Sequence, residues 1–158
     1  MFQLNGPTLA KNALVLPAMR SASVAVFVVC GIWLAGLGLY VVFLRPPLLP
    51  HDPRFTGSSL AQIQAALPGL ALWLRRVFVV TGGFMLAAGV LTACCALTAG
   101  AARWKGSAAI LVVTGAATLA TMSAVNFAID ADFKWLLLAP AWLWLGGLVA
   151  SALERRSA

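Results

Sequence analysis

His51 and Asp52 stand side by side in a proline-rich segment, and Asp130 and Asp132 flank a single alanine far along the chain. A histidine beside carboxylates could hold a divalent cation or relay a proton. Asn126 precedes Asp130 by four residues, so on a helix the two share a face. His51, Asp52, Asn126 and Asp130 therefore form the candidate polar site. Asp132 reads differently: it stands where the N-cap of a following helix would be, with a side chain suited to accept from free backbone amides. No pair of residues has the His-x-x-x-His spacing of a metal ligand set, so neither a metal nor a cofactor is expected.

Other chemistries find less support. A haem held by two histidines is excluded by a single His, and a His-Glu-x-x-His protease by a single glutamate, Glu154. The three cysteines, Cys30, Cys94 and Cys95, all lie in apolar runs without a Cys-x-x-Cys pair. They read as small hydrophobes rather than as a redox centre or a soft-metal site. No Ser-His-Asp set can be assembled at one face. The balance leans away from an enzyme.

These residues must be positioned by elements of an unusual composition. Of 158 residues 62% are hydrophobic and 9% charged, against about 25% charged in soluble domains. Too few polar side chains are present to cover a globule, which excludes an ordinary soluble enzyme. The net charge of +7 comes from basic residues flanking apolar runs, as lipid-anchoring residues do, so no nucleic-acid partner is expected.

Four charge-free runs, Ser21–Leu44, Val77–Ala102, Gly106–Ile129 and Trp135–Leu153, contain 24, 26, 24 and 19 residues. A helix needs about 20 apolar residues to cross a bilayer, and backbone groups in lipid must bond within their own segment. The runs predict spanning helices over 22–44, 77–100, 106–129 and 134–153. The first is too long for the core of a signal peptide and reads as an uncleaved span. The expected fold is an all-α integral membrane protein, an antiparallel four-helix bundle making one domain over 1–158.

Two of the links are tight turns, Arg103–Lys105 and Asp130–Lys134, whereas Arg45–Arg76 is long. Its prolines, Pro46, Pro47, Pro50 and Pro53, argue against a helix at its start. Further on, Ser59 and Gln62 have capping-box spacing, and Leu60, Ile63 and Leu67 recur on one stripe. They predict an amphipathic helix over 59–67, ended by Pro68-Gly69 and lying on the membrane or folded over the bundle. The tail before Arg20 has apolar residues near helical spacing and reads as an interfacial segment.

Small residues supply helix-packing faces: Gly31, Ala35 and Gly38 on the first span, and Gly82, Gly83 and Gly89 on the second. Thr114, Thr118 and Thr121 follow one face of the third span and read as packing hydroxyls. Trp73, Trp104, Trp135, Trp142 and Trp144 read as interfacial anchors or residues of the fourth span, and Trp33 as a packing residue. Pro140 falls inside the fourth span.

With an even number of spans, both termini share a side. That side carries Lys11, Arg20, Arg103, Lys105, Arg155 and Arg156, six basic residues against five opposite (Arg45, Arg54, Arg75, Arg76, Lys134). The positive-inside rule then predicts cytoplasmic termini in a bacterial-type inner membrane. The partners expected are the lipid bilayer and another integral membrane protein or a second copy. The leading functional reading is a non-catalytic accessory, assembly or protective subunit of another membrane protein. The alternative is a lipid- or small-molecule-handling enzyme or transporter, with a site at the outer interface under the first loop.

Overall fold

The computed structural model describes residues 21–102 and 106–156, and among these it contains helices and no strands. In chain order they are α1 (Ala22–Phe43), two short helices α2 (His51–Thr56) and α3 (Leu60–Ala66), and the long α4 (Leu70–Ala102). A third long rod joins α5 (Ser107–Gly115), a π-helical turn (Ala116–Ala120) and α6 (Thr121–Ala128), and α7 (Lys134–Arg156) follows. Four helices, Ala22–Phe43, Leu70–Thr98, Ala108–Ala128 and Lys134–Arg156, are long and apolar enough to cross a membrane. The protein is membrane-embedded. The basic turn Arg103–Lys105 and the tail before Ser21 lie outside the described residues.

Helix α4 starts at Leu70, directly after the turn at Pro68-Gly69, and so carries Arg75 and Arg76 within it. Its 33 residues rise about 50 Å, well beyond a hydrocarbon core of about 30 Å. A helix of that length must tilt or extend past the core, which leaves room for two arginines near its start. Charge marked the edge of the apolar run, not the edge of the helix.

Helices α1 and α4 meet backbone to backbone. A Cβ added at Gly31 would lie 2.7 Å from Gly89 O, and one at Gly38 would lie 2.7 Å from Gly82 O and 2.5 Å from Leu86 N. At Gly89 a Cβ would collide with Ala35 N. Only glycine permits this approach. Gly83 does not share it. A Cβ there meets nothing within 4 Å, because one residue of helix turns the side-chain direction by about 100°. The expectation that Gly83 packs in this seam is corrected: Gly82 does, and Gly83 faces outward.

The third rod joins the core through Trp144, which is 2% exposed. Its indole N–H donates to Leu111 O at 3.1 Å, and its ring stands edge-on to Phe27 with centroids 5.2 Å apart. Gly115 lies against the same ring, so closely that a Cβ would come within 2.7 Å of Trp144 Cδ1. Leu111 O is also the carbonyl that Gly115 would use in α-helical register, and the rod passes into its π turn directly after Gly115. Trp144 is thus a core residue and not an interfacial anchor, whereas Trp142 is 65% exposed. Trp33, expected to pack, is also exposed.

The π turn breaks the threonine face. Its extra residue rotates the following helix, so Thr121 is exposed while Thr114 and Thr118 are half-buried. Thr118 donates to Thr114 O at 2.6 Å and Thr121 to Ala116 O at 2.9 Å, both within their own rod. The polar cross-links come from elsewhere. Ser123 donates to Leu119 O at 2.8 Å and to Leu137 O at 3.3 Å, and the Cys30 thiol donates to Pro140 O at 3.9 Å. Both acceptors are backbone carbonyls of α7 within three residues of Pro140.

Glu154 ties the two ends of the described chain together. Its carboxylate accepts from Ser21 Oγ at 2.6 Å, from Ser23 Oγ at 2.7 Å and from Ser23 N at 3.2 Å. The start of α1 is thereby capped by the end of α7, with an anion on free amides at the positive end of a helix.

Candidate functional site

The long loop is built around α2, which forms despite its prolines. Pro50 precedes the first helical residue and Pro53 falls in the first turn, where a missing N–H breaks no helical bond. The helix closes in a Schellman motif: Gly57 takes the left-handed conformation with φ of 67°, Gly57 N donates to Arg54 O and Ser58 N to Pro53 O. The loop starts without helix over 45–50, as its prolines predict, and turns helical only from His51. In α3 the capping box forms, with Gln62 N donating to Ser59 Oγ at 3.2 Å and Ser59 N to Gln62 Oε1 at 2.8 Å.

Helix α2 carries His51 inward, 3% exposed, against the turn between the third and fourth long helices. His51 Nδ1 lies 3.6 Å from Asp132 Oδ2, and Nε2 lies 3.6 Å from Asp52 Oδ1. His51 Nδ1 is buried without a hydrogen-bond partner at these distances. Arg54, one helical turn on from His51, donates to Asp132 Oδ1 at 2.5 Å. That bond holds the Asp132 carboxyl below the usual carboxylate range. Asp52 accepts from Leu49 N at 2.7 Å and so fixes the approach to α2.

The structure therefore joins His51 and Asp52 to Asp132, and not to Asp130 or Asn126. Asp130 ends α6. It sits at φ of 50°, donates its N–H to Phe127 O, and is followed by Ala131 N donating to Asn126 O, a second Schellman closure. Its side chain is 80% exposed and pairs with Lys134, which keeps its carboxyl below the usual range. The Asn126 amide donates to Met122 O at 2.8 Å in its own helix. Asp132 does not cap α7, which begins two residues later. Asp132, expected as a cap, instead faces the loop, and Asp130, expected at the site, instead supplies the left-handed stop of α6.

Beside this cluster lies a cleft of about 570 Å³ between the loop and the start of α4. One wall comes from Ile63 of α3 and Leu67 just after it, the other from Leu70, Leu74 and Phe78 of α4, and Ile129 also lines it. Arg45 and Asp52 line it as its charged groups. The Arg45 guanidinium lies over the Phe78 ring, 3.6 Å from the centroid, and donates to Pro46 O at 3.2 Å. Burial pushes its pKa down, with Asp52 opposing the shift. An amphipathic cleft with a few polar groups near one end is suited to bind a molecule that is itself part apolar and part charged.

Arg45, Arg54, Phe78 and Asp132 were not among the residues expected at a site. Arg45 and Arg54 read in the sequence as topology charges, and their pairing across the loop depends on a fold-back that local spacing does not encode. Among the described residues, no group of three or more His, Cys, Asp or Glu is placed to hold a metal ion. Comparison of the chain with known protein families, with curated proteins and with solved structures finds no match.

Proposed function

We propose that this membrane-embedded chain binds a lipid or other amphiphilic small molecule in the cleft beneath its first loop, and that it acts as a binding protein rather than a catalyst. The observation that carries this reading is the juxtaposition of a stacked, half-buried arginine with an apolar channel between α3 and α4. The bundle is read as antiparallel, which the opposite order of the Gly31–Gly89 and Gly38–Gly82 pairs supports. Helix α3 is read as an amphipathic cover at the membrane interface, and its side chains, Ile63 apart, are exposed. The termini are assigned to the cytoplasm of a bacterial-type inner membrane on their basic excess, which sets the loop on the outer side.

Native mass spectrometry of the detergent-purified chain tests the reading. The wild-type protein should retain about one lipid-sized adduct, and Ala66→Trp, which fills the cleft from α3, should lose it. Equal adducts on both, or none on either with no thermal shift from added lipid, would refute it.

A second reading, an accessory or assembly subunit of another membrane protein, is favoured by one feature. Gly83 and Ala87 are exposed four residues apart on α4, on the side turned from α1. Such a small-residue face allows another helix to approach closely. Gly83→Leu should then abolish co-purification of a partner or a second copy while the chain itself stays folded.

A further inference from the structure

We propose that the cleft is selective for a zwitterionic, primary-amine phospholipid, with its phosphate on Arg45 and its ammonium on Asp52. The assignment rests on the cleft being a binding site, as proposed above, and adds the chemical class of the ligand. Arg45 and Asp52 both line the cleft yet make no ion pair within 4 Å of each other. Two opposite charges thus face one half-buried space with room between them.

The donor and acceptor inventory fits the two ends of such a head group. A guanidinium has five N–H donors in its plane, and stacking on Phe78 engages its face, not its edge. One nitrogen is committed to Pro46 O, which leaves donors for a phosphate. Asp52 uses Oδ2 for Leu49 N, and each carboxylate oxygen has a second lone pair, so an ammonium can still be accepted. A quaternary choline head has the same net charge but no N–H to donate. An anionic glycerol head would satisfy Arg45 but offer Asp52 only neutral hydroxyl donors, which bind a carboxylate more weakly than an ammonium does. The acyl chain would run between Ile63, Leu67, Leu70 and Leu74.

Titration of the delipidated full-length chain with phosphatidylethanolamine, phosphatidylcholine and phosphatidylglycerol of equal chain length, followed by native mass spectrometry, tests the assignment. The wild type should bind phosphatidylethanolamine about tenfold more tightly than either of the others, the size of one charge-assisted hydrogen bond. Asp52→Asn should remove the preference over phosphatidylcholine, and Arg45→Gln should weaken all three lipids. Arg75→Gln, on the exposed start of α4 and outside the lining, should keep the preference. Phosphatidylglycerol bound as tightly as phosphatidylethanolamine, or Arg75→Gln acting like Arg45→Gln, would overturn it in favour of general attraction to anionic lipid. Equal binding of all three, abolished by Ala66→Trp, would leave the cleft as a lipid site and remove the head-group assignment. Binding of none would remove both.

Discussion

Asp130 and Asp132 are chemically identical and two residues apart, yet they do different work. Asp130 takes the left-handed backbone position that stops α6, and Asp132 holds the loop through Arg54 and faces His51. Asp130→Gly should therefore be neutral or mildly stabilising, since glycine meets no Cβ penalty at that φ and the Lys134 pair is exposed and screened by solvent. Thermal melting of the purified variant checks this. Asp132→Asn should instead speed amide hydrogen exchange in α2, leaving the long helices protected. The pH dependence has a definite sign. Arg54 depresses the folded-state pKa of Asp132, so the tether is fully present above the unfolded carboxylate value of about 3.9 and is lost as pH falls through the lower folded value. Exchange in α2 should thus stay constant from neutral pH to about 5 once corrected for intrinsic rates, and rise only in stronger acid. His51 and Arg54 are the titratable neighbours that meet that carboxylate, and the charge of Asp130 lies close enough to act on it.

At the scale of the helices, the charge-free runs located the rods because bilayer thickness imposes a length that composition alone reveals. The facing of those rods was less legible. Gly82 and Gly83 are equivalent in a sequence, and only the angle between their side-chain directions decides that the former touches Gly38 and the latter touches nothing. Gly38→Leu should lower stability by at least the 1–3 kcal/mol or so of an overpacked core, because its neighbours are backbone atoms that cannot yield by changing rotamer. Gly83→Leu should change it by less than about 0.5 kcal/mol. Melting both in one detergent decides between the two faces. The π turn was invisible for a related reason, as it follows from the approach of Trp144 to Gly115 across a distant pairing. The capping box of α3 was legible because all its atoms lie within four residues.

Across the whole molecule, most side-chain hydrogen bonds stay within a turn or so of their own residue, but a few join elements far apart in the chain. Glu154 meets Ser21 and Ser23, and Arg54 meets Asp132. Pairings at such separations are set by tertiary geometry, which is why local spacing grouped Asn126 and Asp130 with His51, whereas the structure sets Asp132 beside it. Glu154→Gln should cost about 1 kcal/mol, since it exchanges a charge-assisted cap for a neutral one. The loss should appear as earlier fraying at the start of α1 in hydrogen exchange. The central claim is that the space between α3 and α4 holds a membrane amphiphile. Its most direct test places a photo-reactive benzophenone side chain at position 63, lining the cleft, and at position 84, on the exposed flank of α4. Illumination after detergent extraction and washing, when bulk lipid has been removed, should yield a lipid-mass adduct on the peptide carrying position 63 and none at position 84. No adduct at position 63, or equal adducts at both positions, would contradict the account.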